Sequence, residues 1–150
     1  MLKHILLPTD GSKLSDKAVK QTIKMAKALG AKITVLHVMP DYERYVIERY
    51  NVPAALAAPV KRKYKEEAAA LSKEILDRVC AAGTGAGVEC ARVSVADDSP
   101  YEAIIKQAKK SGCDLIMMAS HGRRGLQSLL LGSETQKVLV HSKIPVLVCR

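Results

Sequence analysis

None of the 150 residues is Phe or Trp, and five Tyr are the only aromatics. A core without them must be filled by Ile, Leu, Val, Met and Ala. The same shortage argues against modules that read nucleic acid by stacking bases on aromatic platforms. No apolar run approaches the roughly 18 residues of a membrane span, and the opening run Ile5-Leu6-Leu7 is too short for the apolar segment of a secretory leader. The four cysteines, Cys80, Cys90, Cys113 and Cys149, never form a C-x-x-C pair. Their spacing offers no disulfide or metal framework and fits reduced thiols used as small core residues. On these absences the expectation is a soluble cytoplasmic protein, with no membrane partner indicated at this point. Acidic residues are also few, 15 Asp and Glu against 24 Lys and Arg, which leaves a formal charge of +9. Such a surplus favours a polyanion, but nucleic acid, an anionic membrane surface and a nucleotide all qualify. The one tight basic cluster, Lys61, Arg62, Lys63 and Lys65, reads as a solvated helix face.

What is present suits one ordinary domain over 1–150, at 48% hydrophobic and 26% charged residues. Short apolar runs alternate with stretches of helical period, the pattern of βαβ units. Strands are expected at about 3–8, 32–38, 88–95, 114–119 and 146–149. Helices are expected at about 12–29, 59–82, from Ser99-Pro100 to Gly112, and 133–142. Residues 40–57 show neither period and read as a long surface excursion. Gly83-Thr84-Gly85-Ala86-Gly87 reads as the break after the second helix. Ala91, Val93 and Val95 alternate with polar Arg92 and Ser94, as in an outer strand, whereas Leu115-Ile116-Met117-Met118 is apolar on both faces and belongs at the centre. The third helix carries an expected capping box at Ser99 and Glu102, with Pro100 in its first turn. The fold class is α/β: a single doubly wound, five-stranded parallel sheet with helices on both faces, Rossmann-like, in strand order 3-2-1-4-5. Ligands of such sheets bind outside the carboxyl ends of the strands. That directs attention to the turns after strand one, at Pro8 to Ser12, and after strand four, at Ala119 to Ser133.

Several phosphate cradles are excluded by spacing. Neither G-x-G-x-x-G nor G-x-x-x-x-G-K-[ST] follows strand one. Asp10 stands alone where a phospho-receiver would carry an acidic cluster, and Asp97-Asp98 read as the lead-in to the Ser99 cap. The segment from Ser120 to Thr135 is richer. Its glycines allow close backbone approach, Arg123 and Arg124 add charge, and Gly132-Ser133 delivers the chain to a helix start, where free N–H groups and the helix dipole favour an anion. Ser133-Glu134-Thr135-Gln136 is equally a capping box, so Ser133 can satisfy the helix end, an oxyanion, or each in turn. His121, the only histidine near this loop, reads as a turn residue, and no residue stands out as a catalytic base or leaving-group clamp.

At this point the chain resembles the universal stress protein family. Three stretches carry the resemblance: Ile5-Leu6-Leu7-Pro8-Thr9-Asp10-Gly11-Ser12; Val35-Leu36-His37-Val38; and Ala119-Ser120-His121-Gly122 through Gly132-Ser133, with Ile144-Pro145-Val146-Leu147-Val148 after it. Nucleotide-binding members carry Gly, two residues, Gly, nine residues, then Gly-Ser or Gly-Thr. Ala119 takes the first of these positions and departs from the pattern.

The resemblance implies a protein that binds ATP, or ADP or AMP, with Mg or Mn, and acts as a stress-response switch or sensor. Slow hydrolysis or autophosphorylation is the most it suggests, so a dedicated enzyme is not expected. It places Gly122, Gly132, Ser133, Glu134 and Thr135 around the phosphates, with Arg123 as a further contact or a solvated loop residue. Val38 and Met118 meet the adenine through backbone groups, Pro8, Thr9 and Ala119 line the pocket, and Asp10 lies near the ribose and any metal. It also implies a homodimer through the last strand, Val146, Leu147 and Val148. The alternative is a dimeric interaction protein that has lost its nucleotide, with Ala119 as the first sign. An adenylyl-transferring ligase is disfavoured, because Thr9-Asp10-Gly11-Ser12 matches neither S-G-G-x-D-S nor H-x-G-H.

Overall fold

The computed structural model describes residues 1–41, 52–121 and 131–150. Five strands, β1 (His4–Pro8), β2 (Lys32–Met39), β3 (Cys90–Ala96), β4 (Leu115–Ala119) and β5 (Val146–Cys149), form one parallel sheet in the order β3-β2-β1-β4-β5. Four helices connect them among the described residues: α1 (Lys13–Leu29), α2 (Ala54–Gly85), α3 (Pro100–Lys110) and α4 (Ser133–His141).

The central strands are apolar on both faces because both faces are covered. With a side-chain period of two, Ile5, Leu7, Ile33, Val35, Leu115 and Met117 pack against Ala18, Val19 and Ala26 of α1 and Leu76, Val79 and Cys80 of α2. Leu6, Leu36, Ile116 and Met118 pack on the other side against Ile104 and Ala108 of α3 and Val138 of α4. β3 lies at one edge, and its Arg92 and Ser94 are exposed. Cys80, Cys113 and Cys149 are buried free thiols, as their scattered spacing suggests.

Three expectations need correction here. The second helix starts at Ala54 rather than 59, so residues 54–57 belong to it, not to the excursion, and Pro59 lies inside it. Ala54, Ala55, Ala57 and Ala58 are strong helix formers with no period to reveal them, and Pro59 removes one ladder bond where its side chain is exposed. The same helix runs through Gly83 to Gly85 instead of stopping there. Gly83 makes room for Cys90, whose Sγ occupies the place that a Cβ would fill. The third helix also lacks its capping box. Ser99 makes no side-chain cap bond, and Glu102 accepts the Tyr101 hydroxyl. Instead the Ser99 N–H is taken by Asp97 Oδ1, and the Tyr101 N–H by Glu134 Oε2 from α4.

His4 is buried at the start of β1, with Nε2 2.8 Å from Thr34 Oγ1. Burial, helped by the charge of Lys32, holds its imidazole below the ordinary 6.5. The unfolded chain therefore binds this proton more readily than the folded one. The stabilising difference is complete above about pH 6.5 and is lost as the pH falls through the folded pKa. Urea midpoints measured downward from neutral pH are expected to fall over this window, and to fall less in His4→Asn.

Candidate functional site

A cleft of about 540 Å³ opens at the carboxyl edge of the sheet, between β1 and β4, within the size range of small-molecule sites. Leu36, Val38, Ile104 and Met118 form its apolar wall, and Thr9, Asp10, Ser133 and Glu134 bring polar groups.

The β1 side is a turn held by its own side chains. Thr9 N–H donates to Leu36 O at 2.9 Å, and Thr9 Oγ1 accepts the Gly11 N–H at 3.2 Å while lying 3.1 Å from Ser15 Oγ. Asp10 Oδ1 accepts the Ser12 N–H at 2.9 Å, a local Asx turn. Gly11 has φ +74°, a left-handed conformation that suits glycine. Ser12 then caps α1 by accepting the Ser15 N–H. The turn thereby fixes Asp10, half-buried, at the lip of the cleft.

The β4 side ends on the start of α4. Gly132, not Ser133, is the N-cap residue, and its N–H donates to Ser120 O at 2.8 Å. The expected capping box at Ser133 is therefore absent, and the Gln136 side chain donates to Leu131 O. The first ladder bond runs from Gln136 N to Gly132 O, so the amides of Ser133, Glu134 and Thr135 lie outside the helix ladder. Ser133 is exposed and makes no cap bond. Gly132 has an ordinary φ of −59°, but a Cβ there would lie 3.1 Å from Ser120 O and 3.4 Å from His121 Cα. Its need for glycine is close packing, not conformation.

Ala119 is the last residue of β4, so its backbone is extended and does not require a glycine. Its carbonyl accepts the Thr135 hydroxyl at 3.0 Å, with Thr135 buried. Thr135 thus fastens α4 to the end of β4. Thr135→Val leaves that carbonyl without this donor and is expected to cost about 1–3 kcal/mol of stability, read as a lowered urea midpoint. The Glu134 carboxylate joins the Tyr101 N–H to the Lys137 ammonium, each at 3.0 Å, which ties α3 to α4.

Pro8, Thr9, Asp10, Val38, Met118, Ala119, Gly132, Ser133, Glu134 and Thr135 all line this one cleft. Gly122, Arg123 and Arg124 lie outside the described residues, as do residues 42–51 of the excursion. Sequence reasoning missed Asp97, Asp98, Pro100 and Ile104 as lining residues. The available signal was strand order, since β3 beside β2 puts its carboxyl end on the same rim. Asp97 N–H donates to Met39 O at 2.9 Å, and Asp98 Oδ1 accepts the Asp41 N–H at 3.0 Å. Asp10, Asp97 and Asp98 make that rim acidic, although no group of three metal-ligating side chains occurs among the described residues.

The arrangement combines an apolar wall, a helix start whose first amides lie outside the ladder, and carboxylates on the rim. It suits a ligand with a flat apolar part, hydroxyl groups and an anionic end.

A sequence model of the universal stress protein family matches residues 1–150. Universal stress protein MJ0577 of Methanocaldococcus jannaschii is 32% identical over 100% of this chain and 96% of its own. A solved MJ0577 structure superposes with a TM-score of 0.79, covering 99% of this chain and 96% of that one. Universal stress protein UspA from Lactobacillus plantarum gives a TM-score of 0.81 at 25% identity, covering 99% and 98% of the two chains. The universal stress protein from Archaeoglobus fulgidus in complex with dAMP shares the fold, with a TM-score of 0.68 at 16% identity over the whole of both chains.

Proposed function

Because the chain belongs to the universal stress protein family, we propose that its cleft binds an adenine nucleotide, with ATP foremost, and that occupancy makes the protein a stress-response switch or sensor. The observation that carries this reading is that Ser133, Glu134 and Thr135, whose amides lie outside the helix ladder, line the same cleft as the apolar wall of Val38, Ile104 and Met118. A base fits the wall, and the phosphates fit the amides at the positive end of α4. A relative of the same fold is known in complex with dAMP, which supports an adenine nucleotide as the ligand class.

Asp10 faces the ribose in this reading. A divalent cation, Mg²⁺ or Mn²⁺, suits the acidic rim because it neutralises the charge that a triphosphate brings beside Asp10. Thr9 and Thr135 act by holding the two lips of the cleft, since their hydroxyls are engaged with Gly11 and Ser15 and with Ala119. β5 supplies a second element. It is an edge strand with half-buried Val146, Leu147 and Val148, and such an edge is suited to pairing with another copy, giving a homodimer.

Heat-denaturing the purified protein and identifying any released nucleotide by chromatography tests the assignment. Released or added adenine nucleotide retained in stoichiometric amount is expected. A protein that emerges empty and retains none after incubation with Mg-ATP refutes it.

A further inference from the structure

The first half of α2 is unlike the rest of the fold. Ser72 is bonded to His37 of β2 and lies 2.8 Å from Ser94 Oγ of β3, near the carboxyl ends of both strands. From Ser72 onward the helix packs on the sheet through Ile75, Leu76, Val79 and Cys80. Residues 54–71 therefore run beyond the carboxyl edge, on the side where the cleft opens, for roughly 27 Å at the helical rise. Among their described side chains none is buried.

This segment holds four of the large exposed apolar side chains: Leu56 is 68% exposed, Val60 47%, Tyr64 42% and Leu71 44%. Their spacing, i, i+4, i+8 and i+15, puts them on one face. At about 100° per residue that face is well round the helix from the one that packs on the sheet. The chemistry is also graded along the axis. Residues 53–60 carry no charge, and the next turn brings Lys61, Arg62, Lys63 and Lys65 with no acidic residue among them. Glu66 and Glu67 follow, loosely paired with Arg62 and Lys63 at 3.8 and 3.9 Å in solvent-exposed positions. Such pairs are worth little and exchange readily for other anions. The alanines and these i, i+4 pairs favour the helix locally.

We propose that the projecting half of α2 is a docking arm for an anionic lipid surface, with Leu56 and Val60 entering the boundary between headgroups and acyl chains and Arg62, Lys63 and Lys65 on the lipid phosphates. An apolar segment adjoining a cationic turn, with a tyrosine at the junction, matches the layering of that interface. No helix among the described residues is long and apolar enough to cross a membrane, so the contact is with the surface. A nucleic acid would use the cations and leave the apolar stripe idle. A second copy is disfavoured by size, since four side chains fall far short of the roughly 800 Å² per partner of a stable interface.

Co-sedimentation of the full chain with vesicles of phosphatidylcholine, with and without a third of phosphatidylglycerol, tests the proposal at low salt. Binding is expected to the anionic vesicles only. R62Q/K63Q/K65Q is expected to lower the partition coefficient about a hundredfold, at roughly 1 kcal/mol per charge. L56Q/V60Q is expected to lower it about tenfold or more. All the parent side chains concerned are on the exposed half of α2, so far-ultraviolet circular dichroism and nucleotide retention should match the parent. Absence of binding to anionic vesicles overturns the proposal. So does binding that L56Q/V60Q leaves unchanged, which marks adsorption by charge alone. Binding to duplex DNA without vesicle binding overturns it in favour of a nucleic-acid face. A change in sedimentation coefficient in L56Q/V60Q, without vesicle binding by the parent, does so in favour of helix pairing between copies.

Discussion

Gly132→Val lowers affinity for Mg-ATP by at least about 100-fold, equivalent to losing one or two hydrogen bonds to a charged group, while the protein stays folded. Gly132 sits where the end of β4 meets the start of α4, with its N–H on Ser120 O and a would-be Cβ 3.1 Å from that same oxygen. The opposing atoms are backbone, so no side chain can swing aside. A branched residue has to push α4 away from Ser120 and His121, and the amides of Ser133, Glu134 and Thr135 move with it. The Gly132 φ of −59° is open to any residue, so the damage is confined to this junction. Isothermal titration gives the affinity and circular dichroism the folded content. An unchanged affinity in a folded variant contradicts the placement of the phosphates at α4.

Leu6→Ala lowers stability by about 3–4 kcal/mol, in the middle of the roughly 2–5 kcal/mol usual for a leucine truncated in a close-packed core. Leu6 is wholly buried in β1, opposite Ile116 of β4 in register, and packs with Leu36, Ile104, Met118 and Val138. Leu36, Ile104 and Met118 are also cleft-lining residues, so the cavity left behind lies directly beneath the site. A urea titration reads the loss of stability. A loss under about 1 kcal/mol would mean that the sheet is not covered on both faces in this way. Loss of nucleotide affinity should accompany it to a smaller degree, because the lips of the cleft, at Asp10 and Gly132, are held by separate hydrogen bonds.

The sheet was legible because its signals are strong and local. Leu115-Ile116-Met117-Met118 without a polar break had to be central, and the alternation around Arg92 and Ser94 had to be an edge. The cleft was legible because ligand sites of such sheets follow from strand order. What escaped were features decided by distant contacts. The start of α2 at Ala54 carries no hydrophobic period, only alanine propensity. Gly83 and Gly85 look like a helix break, yet the helix continues, and Gly83 makes room for Cys90. The caps at Ser99 and Ser133 fit short-range patterns, but partners from elsewhere in the fold took over. Glu134 of α4 takes an amide of α3, and Ser120 holds Gly132. Asp97 and Asp98 likewise reached the cleft through the position of β3, which their own neighbours in sequence do not reveal.

Ala119 is the residue on which the nucleotide assignment turns, since its methyl group stands where the nucleotide-binding pattern has glycine. Its place in β4 removes the conformational objection, and its carbonyl is occupied in holding Thr135. Titration calorimetry of the full chain with Mg-ATP is therefore the most direct measurement. Saturable binding of one nucleotide per chain, lost in Gly132→Val, is the expected result. No detectable binding at millimolar nucleotide by a protein of intact fold would contradict it, and would leave a family member whose cleft no longer serves an adenine nucleotide.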